Sequence, residues 1–98
     1  MKSQVVGNIY FTISEISEKN YSIDRLEKIN KRIKGGLKTS FNILCKIADQ
    51  EQINLFMMVC ADQPENNDLI VSIALNNDFK PFEDQGEIYK KDLSRIKY

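Results

Sequence analysis

The sequence predicts an α+β fold: a two-layer sandwich in the order β-α-β-β-β-α, with a mostly antiparallel four-stranded sheet and the helices on one face. Three observations lead there. Apolar residues recur at every second position around Ile9, Ile43, Met57 and Ile73, the period of half-buried strands. Between the first two of these runs the spacing lengthens to three and four, over Ile23, Leu26, Ile29 and Ile33, as on one helix face. A length of 98 residues with 42% apolar and 29% charged side chains fits one domain, residues 1–98, with a single core.

The first strand is predicted over Asn8–Ser14, where Ile9, Phe11 and Ile13 alternate with Tyr10 and Thr12. The helix is predicted from Ser22, as N-cap, to Lys34. Tyr21 and Leu26 can staple its start, and Lys31, Arg32 and Lys34 suit its carboxyl end. Gly35-Gly36 then reads as a helix stop ahead of a strand, and for that reason not as a phosphate-cradling loop.

A three-strand meander is expected next. Phe41, Ile43, Cys45 and Ile47 make its first strand, Ile53, Leu55, Met57 and Val59 its second, and Leu69, Val71, Ile73 and Leu75 its third. Turns fall at Asp49–Glu51 and Asp62–Asn67. Tyr89, Leu93 and Ile96, at spacings of four and three, predict a closing helix with Asp84 as a cap. This register puts odd positions in the core and Cys45 and Cys60 on opposite faces, so both are expected as free thiols.

Even positions draw attention because a wet sheet face should be polar. Phe56, Met58 and Cys60 run along the central strand, and the register sets Leu44 and Ile70 beside them. An exposed apolar stripe of this kind marks a partner or self-association surface. Leu44, Phe56, Met58 and Ile70 are therefore the candidate contact residues. Asp62, Glu65 and Asp68 add an acidic rim that would face a basic partner.

Catalytic chemistry finds little purchase. The chain has no histidine, which removes the commonest general base and the Ser-His and Cys-His pairs. Its two cysteines lack metal-ligand spacing, and no acidic run fits a calcium loop. No enzyme activity, cofactor or metal is expected.

Charge is neutral overall but segregated. Residues 1–47 carry nine Lys/Arg against four Asp/Glu, residues 48–88 nine Asp/Glu against Lys80, and residues 89–98 four against one. From Ser22 onward the predicted α-β-β-β-α order resembles that of double-stranded RNA-binding domains, with a basic helix at Lys28–Lys38, although the basic start of that family's last helix is missing. The expected function is protein binding by a small inhibitor, immunity or antitoxin-like protein that occludes its partner, or a homodimer through the even face. RNA binding by Lys28–Lys38 is the alternative. No signal-like segment follows Lys2 and no apolar run reaches the roughly 20 residues of a membrane helix, so a cytoplasmic protein is expected.

Overall fold

A computed structural model describes residues 1–60, 64–81 and 90–98; at 58–60, 64–67 and 90–92 the description is of the backbone. The elements are β1 (Gln4–Val6), β2 (Ile9–Ser17), β3 (Asn20–Lys28), α1 (Leu37–Glu51), β4 (Asn54–Cys60), α2 (Pro64–Leu75), β5 (Lys80–Pro81) and β6 (Lys90–Arg95). The class is α+β. The order and strand count differ from expectation: among the described residues one six-stranded mixed sheet runs β1-β2-β3-β4-β6-β5. Strands β3 and β4 are parallel and the other pairs antiparallel. Parallel neighbours need a long crossover, and α1 provides it.

Strand β2 forms where its alternation predicts, with Ile9, Phe11 and Ile13 buried. The helix expected over Ser22–Lys34 is instead β3 and a loop. Its spacing of three misled for a local reason. Phe11 pairs with Leu26 and Ile13 with Ile23, and Asp24 is the extra residue of a β-bulge. A bulge of one residue brings two positions three apart onto the same face of a strand. Ile29 and Ile33, which completed the supposed stripe, are exposed.

The strand expected at Phe41–Ile47 is helix α1. Its buried residues, Ser40, Phe41, Leu44, Cys45 and Ala48, follow the helical period, and Ile43 is exposed. Run against alternation, Leu44 and Ala48 were the informative positions. The strand expected at Leu69–Leu75 is likewise a helix, α2, opened by Pro64 at its first position, where proline's missing donor costs nothing. Ile73 and Ala74 are buried and Ile70 packs beside them, again a helical spacing. Strand β4 agrees with expectation, burying Leu55 and Met57. The closing helix is replaced by β6, whose Leu93 is buried while Ile96 is exposed; Asp84 and Tyr89 lie outside the described residues. From Ser22 onward the order is therefore β-α-β-α-β-β, and the likeness to the RNA-binding layout lapses.

Both helices pack on one face of the sheet. Ile9, Phe11, Ile13, Leu55, Met57 and Leu93 from the strands join Phe41, Leu44, Ala48, Ile73 and Ala74 from the helices in one cluster. Phe41 sits at its centre, 6.2 Å from the ring of Phe11 and 5.5 Å from that of Phe79. Among the described residues no helix is long and apolar enough to cross a membrane.

Candidate functional site

The crossover creates the most distinctive stretch of the chain. Strand β3 ends at Lys28 and α1 begins at Leu37. Between and just beyond them Lys31, Arg32, Lys34 and Lys38 are exposed, and residues 28–38 include no carboxylate. Gly35 and Gly36 adopt φ +77° and +86°, a left-handed conformation open to glycine at little cost. Gly36 is the N-cap of α1 and gives it no side-chain hydrogen bond; the first turn holds no acidic residue. The opening amides of the helix, with the positive end of its dipole, thus face a wholly cationic approach.

The loop is held in shape from its start. The Ile29 amide donates to the Asn8 carbonyl at 2.8 Å. The Asn8 side chain donates to the Asn30 carbonyl at 2.9 Å and accepts from the Asn30 amide at 2.8 Å. The Arg32 amide then donates to Asn30 Oδ1 at 3.0 Å. Asn8 belongs to the β1–β2 turn, whose Gly7 has φ +61° and lies so near α1 that a Cβ there would be 3.0 Å from Ser40 Oγ. One turn therefore braces both flanks of the basic loop.

The stripe expected on the even face is not assembled. Leu44 is fully buried on the inner side of α1, and Ile70 is half-buried on α2 against the core. Phe56 is half-buried on the opposite sheet face, paired with Ser22 on one side and Ser94 on the other. Asp68 is exposed on α2. Asp62 and the side chains of Met58 and Glu65 lie outside the described residues. What sequence reasoning missed was Gly35-Gly36 as a helix opening. A signal was present in part: a cationic run stopped by two glycines, then Leu37, Phe41, Leu44, Cys45 and Ala48 at helical spacings.

A second polar constellation lies at the other end of α1. Arg95 on β6 is 3% exposed; its Nη2 donates to Asp49 Oδ2 at 2.8 Å and its Nε to the Asn77 carbonyl at 2.9 Å. Asn54 positions the chain after β6, its Oδ1 accepting from the Lys97 and Tyr98 amides at 2.8 and 2.9 Å. That sets the Tyr98 hydroxyl on Asp49 Oδ1 at 3.0 Å and Lys97 Nζ on Asp78 at 2.8 Å.

The hydrogen bond from Arg95 holds Asp49 below the usual carboxylate range, against its partial burial, and Tyr98 adds to the effect. Lys97 does the same for Asp78, chiefly through its hydrogen bond. Burial works against the charge on Arg95, but the Asp49 contact and the nearby acidic groups outweigh it and raise its pKa. Burial pushes the Cys45 thiol up to about 11, so at neutral pH it is a protonated, unreactive core group. Among the described residues no cluster could hold a metal ion. Compared with protein-family models, with curated proteins and with solved structures, the chain finds no match.

Proposed function

We propose that this protein binds a phosphate-bearing ligand with the loop from Lys31 to Lys38 and the N-terminus of α1. The observation that carries the reading is Gly35-Gly36 opening an uncapped helix directly behind three exposed cations, Lys31, Arg32 and Lys34, with Lys38 in the helix's first turn. Backbone amides at a helix start, approached over glycine, are a ready anion site. Its place in the fold supports the reading as well. In sheets with a strand–helix–strand crossover, ligands bind beyond the carboxyl ends of the parallel strands, which is where this loop leaves β3. The expectation of RNA binding by the same residues rested on similar chemistry, but the loop has no described aromatic platform for bases.

Titration of the 15N-labelled chain with inorganic pyrophosphate tests this. The amides of Leu37, Lys38 and Thr39 are expected to shift saturably, with affinity falling as salt is added. Joint replacement Lys31→Gln, Arg32→Gln and Lys34→Gln should weaken binding, and Asp68→Lys should leave it intact. A titration into the millimolar range that moves none of these amides overturns the reading.

Protein binding is the second reading, favoured by exposed Leu69 and Leu75 beside Asp68 on α2. For a second copy as partner, sedimentation should show association that Leu69→Glu abolishes. A monomer at every concentration would remove that partner.

A further inference from the structure

The cleft at the carboxyl end of α1 has a chemistry of its own. The last turns of α1, the turn after α2 and β6 border an open depression of about 310 Å³, with Lys46, Asp49, Asn76, Asp78, Arg95 and Lys97 among its lining. Two of the three guanidinium nitrogens of Arg95 have acceptors; Nη1, buried, has none among the described residues. Folded proteins seldom leave a buried charged donor unmatched. Neither carboxylate of the cleft is at liberty to serve it: Asp49 is held by Arg95 and Tyr98, and Asp78 by Lys97. Lys46, exposed on α1, has no ion-pair partner among the described residues.

We propose that this cleft is a binding site for a small organic monocarboxylate, with Arg95 and Lys46 as its cationic partners. Charge selects the ligand class. Lys46, Arg95 and Lys97 face Asp49 and Asp78, leaving one positive charge, which a single carboxylate neutralises. A phosphate dianion would exceed that charge and leave the cleft net negative. Nη1 offers a carboxylate one charge-assisted donor, and Lys46 on the same lining offers a second, while the volume lies at the small end for ligand sites. Nη1 has almost no contact with water, so seating an oxygen against it requires lining side chains to shift. Lys46 and Asn76, both exposed, belong to the same lining. The site is separate from the basic loop: a 15-residue helix sets its two ends about 22 Å apart.

The test uses the full chain, 15N-labelled, titrated separately with formate, acetate and propionate, with chloride and inorganic phosphate as controls at matched ionic strength. The expected result is a saturable shift of the Arg95 Nε–H and the Asn42 and Asn76 side-chain amides with the monocarboxylates, absent with chloride. Lys46→Gln should weaken acetate binding about threefold to fivefold, the value of one exposed ion pair. Asn76→Asp, at an exposed position and so tolerated by the fold, places an internal carboxylate in the cleft and should abolish it. Shifts that match those with chloride, that persist unchanged in both variants, or that are stronger with phosphate than with acetate each overturn the proposal.

Discussion

A methyl group added at Gly36 would touch nothing within 4 Å, yet it is expected to cost stability. The whole penalty comes from φ +86°, where an L side chain crowds its own backbone, so Gly36→Ala should lose about 1–2 kcal/mol in chemical denaturation. Gly7→Ala should lose more, because its φ +61° is joined by a Cβ 3.0 Å from Ser40 Oγ. Equal losses would mean that the turn does not press on α1. At Asp49 the effect is electrostatic. Its pKa is lowered in the folded chain, chiefly by the Arg95 hydrogen bond. The stability it contributes is therefore present above its unfolded pKa and is lost as pH falls through the lower folded value. Asp49→Ala leaves a buried guanidinium with a second unmatched nitrogen. The expected cost at neutral pH is about 2–3 kcal/mol, below that of a fully buried pair because Asp49 is partly exposed. The acid limb of the stability curve should flatten in this variant, and an unchanged limb would show that Asp49 does not carry it.

Elements differ in how far their own sequence announces them. Strand β2 was legible because alternation ran beside β-branched and aromatic residues, and β4 because a short, continuous apolar run was bounded by polar turn segments. The β3 segment was not, since a bulge at Asp24 gives Ile23 and Leu26 a helical spacing that only the partner strand resolves. In α1 and α2 apolar residues occupy both parities, so Phe41–Ile47 and Leu69–Leu75 satisfy the strand template and the helix template together. Burial decides between them: Leu44 and Ala48 are fully buried, and Ile43 is 42% exposed. Leu44→Ala should therefore cost about 2–5 kcal/mol, whereas Ile43→Ala should stay within about 1 kcal/mol. Equilibrium unfolding of the two variants checks this, and the reverse ranking would restore the strand. The basic loop shares the history of its flanks. Lys31 to Lys38 were visible as a cationic cluster, but their chemistry changes when Gly35-Gly36 opens a helix instead of closing one. The Arg95 cleft joins α1, the turn after α2 and β6, three segments far apart in the chain, and no local pattern in any of them foretells it.

Taken as a whole, the molecule uses α1 as a spacer between two differently charged ends. The helix start lies among the cations that follow β3, and its end carries Asp49 into the mixed cluster with Arg95, Lys97 and Asp78. One end is wholly basic and the other mixed, they share no side chain, and the two can be filled without competition. Sites that share no side chain and lie well apart should contribute additively. A ligand that binds only the folded chain adds RT ln(1 + [L]/Kd), about 1.4 kcal/mol at ten times Kd. Pyrophosphate and acetate, each at ten times its own Kd, should therefore raise stability together by about twice that amount. Replacing Lys31, Arg32 and Lys34 by Gln should remove the pyrophosphate share and spare the acetate share, and Asn76→Asp should do the opposite. Thermal unfolding of the four combinations reads all of this out. If either variant loses both effects, or the two ligands together stabilise no more than one alone, the ends of α1 do not form two independent sites.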